Sequence, residues 1–118
     1  KERADAAEVL AQLALEEGNC GDIVAAGGVT RLGGMLSAAT SEERAGAALA
    51  LAHTAIDDVG RKAVKSLGCV GELARMVRAA GAEERTSAVR VLAALAFDSR
   101  SRKEMIQAGA VEAIVALL

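Results

Sequence analysis

A single histidine, two cysteines and a recurring row of acids are the residues of this chain best suited to chemistry. His53 could serve as a general base or a metal ligand, but either task needs a partner. Cys20 and Cys69 are too distant in sequence to make one with it, so neither a catalytic pair nor a metal-ligand cluster is expected. The run Gly27-Gly28-Val29-Thr30-Arg31-Leu32-Gly33-Gly34 lacks the Gly-Lys-Ser/Thr element that cradles a phosphate, and it reads as a turn between helices. Catalysis, metal and cofactor are therefore not expected, and His53 reads as a groove-lining or partly buried structural residue. Cys69 takes a position that Gly28 and Ala110 hold in related segments, which makes it a small packing residue. Cys20 falls at a helix start, where the helix dipole favours a lowered thiol pKa.

The charges leave two readings open. Glu16, Asp57 and Asp98 recur at one phase of the sequence. They could line a groove for a basic peptide, held and steered by charge complementarity. Asp57 and Asp98 could instead cap the helices that follow them. Arg61, Lys62 and Lys65, then Arg100, Arg102 and Lys103, could face an acidic partner or phosphate, but read by default as a solvated basic face. A net charge of -2 argues against nucleic acid as a partner. The longest nearly apolar run, 45–56, contains His53 and Thr54 and is well short of the ~20 residues that span a bilayer, so no membrane partner is expected. No apolar leader opens the chain, and the two cysteines lie at different phases. An intracellular setting, cytoplasmic and/or nuclear, is the expectation. The missing initiator Met points to an excised fragment.

The elements that must position these side chains are helices. The chain has 118 residues, 53% of them hydrophobic, yet Phe97 is the lone aromatic and there is no proline. Alanine and leucine, the best helix formers, supply the apolar content. Ala26-Gly27-Gly28-Val29, Leu67-Gly68-Cys69-Val70 and Ala108-Gly109-Ala110-Val111 follow one another at a fixed interval of 41 residues. The same shift lays Glu42-Glu43-Arg44 on Glu83-Glu84-Arg85, and Leu10 on Leu51 and Leu92. Ala47, Leu51 and Ala55 step by four, so they share one helix face. Each unit reads as three helices: a short first one over 19–26, 60–67 and 101–108; a second over 29–37, 70–79 and 111–118; and a long third over 2–15, 42–56 and 83–97. Gly27, Gly68 and Gly109 end the first helices, where a left-handed cap needs no Cβ. Thr40 with Glu43, and Ser101 with Glu104, have capping-box spacing. The expected fold is an all-α, right-handed α-solenoid of about three 41-residue repeats in one domain, 1–118. It divides into a partial repeat 1–41, a repeat 42–82 and a partial repeat 83–118.

These units resemble armadillo repeats. The turn at Ala108-Gly109-Ala110-Val111, the second helix ending "AIVALL" at 113–118, and the cores "VLAQLA" (9–14), "ALAHTA" (50–55) and "VLAALA" (91–96) carry the resemblance. HEAT repeats are typically two helices with a proline in the first, and this chain has none. The resemblance implies a protein-interaction scaffold whose third helices line a concave face. Positions exposed there would be Asp5, Glu8, Gln12 and Glu16; Glu42, Gly46, Leu49, His53 and Asp57; and Glu83, Ser87, Arg90, Ala94 and Asp98. The candidate peptide-binding set is Glu8, Gln12, Glu16, Leu49, His53, Asp57, Arg90, Ala94 and Asp98. Family members that bind extended peptides carry an asparagine ladder, whose places are taken here by Gln12, His53 and Ala94. Their tryptophans are replaced by Glu8, Leu49 and Arg90. Recognition of a nuclear localisation signal in the family's usual way is therefore not expected.

Solenoid units bury their apolar faces only against neighbours. The stretch Ala113 to Leu118 has no third helix after it. Residue 1 is in phase with a hypothetical residue 124, so the first helix of a second molecule is of the type this face would take. The alternative role is a self-assembling unit that docks head to tail through Ala6, Leu10, Ile114, Leu117 and Leu118.

Overall fold

Helix-forming residues at four-residue steps, uninterrupted by proline, wind this chain into three successive triplets. The computed structural model describes residues 1–16, 18–38, 40–79 and 81–118, and its regular elements are all α-helices. The short first helices are α2 (Asn19–Ala25), α5 (Asp58–Ser66) and α8 (Ser99–Gln107). The second helices are α3 (Gly28–Met35), α6 (Val70–Val77) and α9 (Ala110–Val115). The long third helices are α1 (Glu2–Leu13), α4 (Ser41–Thr54) and α7 (Ala82–Leu95). α4 lies between α1 and α7 and packs extensively on both. α3 packs against α4, and α6 against α7, so each second helix is covered by the third helix that follows it.

The core runs through this stack as columns. Leu51 and Leu92 are 0% and 2% exposed, while Leu10 of α1 is half-buried. Ala47 and Ala88 are buried, and so are Val29 with Val70 and Leu32 with Leu73. Small side chains where the third helices meet allow close approach: a Cβ at Gly46 would sit 3.5 Å from that of Ala7. Gly27, Gly68 and Gly109 hold φ of 81°, 63° and 73°, the left-handed conformation that carries the chain from first to second helix.

Several helix limits differ from the sequence reading. α5 and α8 begin at Asp58 and Ser99, two residues early, because Asp57 and Asp98 cap them. Asp57 accepts from the Val59 N–H at 2.7 Å, and Asp98 from the Ser101 N–H at 2.9 Å. Ser101 thus lies inside α8, and the capping box expected from Ser101 and Glu104 is replaced by this aspartate cap. Thr40 does cap α4, accepting from the Glu43 N–H at 3.1 Å while donating to the Glu43 carboxylate at 3.0 Å. α3 runs unbroken through Gly33 and Gly34. At Gly33 a Cβ would press on Leu67, which explains that glycine; nothing lies near Gly34. α9 stops at Val115, short of the expected residue 118.

Candidate functional site: a groove across the third helices

α1, α4 and α7 present one edge each to a shared hollow of about 590 Å³. Its sides carry Asp5 and Glu8 from α1, Glu42 from α4, and Glu83 from α7, with Arg90 as the cation among them. Successive turns of a helix bring residues three or four apart to one side, which is why Asp5, Glu8 and Gln12 line up. Leu49 and Gly46 contribute an apolar middle. It is lined as well by Ala4, Ala45 and Thr86, which share one phase of the repeat, and by Ala82 and Ser87. Of these, only Ser87 was expected from the sequence, although the recurrence of small residues at 4, 45 and 86 was an available signal. Ser87, expected on the exposed face, is 6% exposed. The hollow as a whole is acidic and open.

The predicted residues divide. Glu8, Gln12, Leu49 and Arg90 line the groove together. Glu16 lies just past the end of α1, in a second hollow of about 710 Å³ with Val9, Leu13 and Asn19, which shares Asp5, Glu8 and Gln12 with the groove. Ala94 and Asp98 face a separate hollow of about 220 Å³, beside Phe97 and Lys65. Asp57 and Asp98 are occupied as caps, and Asp98 also meets Lys65 at 3.2 Å. His53 turns toward α1, its Nδ1 2.7 Å from the Ala11 carbonyl. A carbonyl only accepts, so Nδ1 carries the proton in this contact. His53 therefore ties α4 to the last turn of α1 at a position where the resemblance implied a peptide contact.

Both thiols are buried. Burial pushes Cys69 up to about 11, and Glu72 and Glu104 add to the effect. Cys20 is also raised, by burial first and Asp57 second, so the expected lowering by the helix start is overridden. Its Sγ donates to the Ala14 carbonyl at 3.6 Å. Among the described residues no group of three or more His, Cys, Asp and Glu is arranged to hold a metal ion. No helix among them is long and apolar enough to cross a membrane.

Solved structures place this architecture. The crystal structure of an engineered protein superimposes with a TM-score of 0.88 at 35% identity, over 98% of this chain and 48% of that one. A designed armadillo repeat protein in complex with the peptide (KR)4 matches with a TM-score of 0.83 at 22% identity, over 97% and 49%. A computationally designed armadillo repeat protein for modular peptide recognition gives 0.85 at 24%, over 96% and 49%. The fold is that of an armadillo-repeat solenoid. This chain spans about half the length of those armadillo structures. No family model matches the sequence, and no curated protein is significantly similar to it.

Proposed function

We propose that this armadillo-repeat chain is a protein-interaction module that takes a basic, extended peptide across α1, α4 and α7. The observation that carries the reading is the groove itself, where Asp5, Glu8, Glu42 and Glu83 from three different helices face one hollow with Arg90 as their counterweight. Carboxylates repeated across a concave wall attract lysine and arginine, speed encounter and set register. Two steps between packed helices span about 20 Å, which an extended segment of about six residues crosses. The similar designed protein that holds (KR)4 supports a ligand of this kind. Ala94 offers no amide and His53 is tied to Ala11, so Gln12 is the remaining side-chain amide at the ladder positions. Side-chain charge, rather than a main-chain ladder, then supplies most of the attraction. The role is binding rather than catalysis, with His53 bonded to a backbone carbonyl instead of a nucleophile.

The test is fluorescence anisotropy with a labelled peptide of alternating lysine and arginine. Binding should weaken steeply with salt, and combined Glu8→Lys, Glu42→Lys and Glu83→Lys should weaken it by at least about tenfold. Equal binding of an acidic peptide, or indifference to the three reversals, overturns the proposal.

A further inference from the structure

Two rows of side chains cross the groove, and they differ in kind. Glu42 and Glu83 share one phase of the repeat; Glu8, Leu49 and Arg90 share another, and all five line the hollow. On α4 and on α7 the rows are seven residues apart. That is about two helical turns, so both rows lie on the same side of the helices, about 10 Å from each other. The first row is acidic on both helices. The second changes at every helix: a carboxylate on α1, an aliphatic side chain on α4, a guanidinium on α7. A uniformly acidic wall attracts any cationic segment, whereas a graded row favours a ligand whose side chains differ from step to step.

Arg90 differs from the arginines that tie the third helices together. Arg3 of α1 meets Glu43 of α4 at 3.2 Å, and Arg44 of α4 meets Glu84 of α7 at 2.9 Å. Arg90 is exposed and, among the described residues, makes no ion pair. Its planar guanidinium can take a carboxylate through two parallel hydrogen bonds. A ligand that is basic throughout brings like charge to it, and one with an acid at that place does not. Leu49 is half-buried and presents apolar surface midway between Glu8 and Arg90. An extended polyproline-type segment brings every third side chain to one side, at about 9 Å per turn. Packed helices are roughly 8–10 Å apart, so positions three residues apart on the ligand match successive third helices.

We propose that the groove selects a mixed segment, with a basic residue at Glu8, an aliphatic residue on Leu49 and an acidic residue at Arg90. This rests on the peptide-binding reading of the groove and names the side chains its ligand carries. The segment stays basic overall, because lysines or arginines between those three positions reach the acidic row of Glu42 and Glu83. Arg90 is then a specificity residue rather than a mere counterweight: it admits one acid into an otherwise basic ligand and fixes where that acid lies.

Double-mutant cycles by fluorescence anisotropy test this. The probe is a labelled peptide with lysine first, leucine fourth and glutamate seventh, and a lysine in each gap. Replacing its glutamate by glutamine should weaken binding to the wild type more than binding to Arg90→Gln, by a factor of at least about three. Replacing its first lysine by glutamine should couple in the same way to Glu8→Gln. The crossed pairs, peptide glutamate with Glu8 and first lysine with Arg90, should show no favourable coupling. Both protein changes are on exposed side chains, and circular dichroism verifies that the helices persist. The alternating lysine–arginine peptide should bind Arg90→Gln more tightly than the wild type, because like charge has been removed. If that peptide binds but the glutamate change costs the same in wild type and Arg90→Gln, this proposal falls while the peptide-binding reading stands. If neither peptide binds the wild type, both fall.

Discussion

Asp98 serves two contacts, accepting from the Ser101 N–H at 2.9 Å and meeting Lys65 at 3.2 Å. The Ser101 N–H first, and Lys65 after it, hold its carboxyl below the usual carboxylate range. A group whose folded pKa is depressed stabilises the fold above its unfolded pKa, and that stability is lost as pH falls through the folded value. Urea midpoints measured from pH 6 downward should therefore fall below about pH 4, and Asp98→Asn should show a shallower decline. Cys69 works in the opposite direction. Its thiol is pushed up to about 11, so the folded chain keeps a proton that the unfolded chain releases near 9. Stability from this source is complete below pH 9 and drains away as pH rises towards about 11. Cys69→Ala, which installs the residue present at Ala110, should flatten that alkaline slope in the same assay. For Asp57, bonded to both the Val59 and Gly60 N–H groups, Asp57→Ala should cost about 1 kcal/mol through the lost cap.

Among the elements, the columns set what each substitution costs. Leu51→Ala should lose about 2–5 kcal/mol by urea unfolding, because Leu51 is 0% exposed between two neighbouring helices. Leu10→Ala, at the same phase but half-buried, should lose clearly less. Equal losses would mean that equivalent leucines do not share a translated environment. Gly60→Ala should be costly too, since a Cβ in the first turn of α5 would run into the Thr54 carbonyl. The helices and their order were legible because every unit repeats the same apolar spacing and the same glycine between first and second helix. The starts of α5 and α8 were less so: the sequence offered Asp57 and Asp98 as caps, the reading it favoured, and also as groove residues, yet placed both helix starts two residues late. The orientation of His53 was not legible at all. Its bond to Ala11 depends on how closely α1 and α4 approach, and that distance is set by Ala4, Ala7 and Gly46 rather than by anything near His53 in sequence.

At the scale of the whole molecule, the groove belongs to no single repeat. Its carboxylates come from α1, α4 and α7 together, so it crosses from one third helix to the next. A peptide of about six residues spans all three helices, whereas one of about three residues reaches two of them. Anisotropy should therefore show a six-residue alternating lysine–arginine peptide binding more tightly than a three-residue one. That advantage should shrink in Glu83→Lys, which reverses the charge at the α7 end of the row. Equal affinity for the two lengths would mean that the carboxylates attract charge one at a time and that no continuous groove holds the peptide.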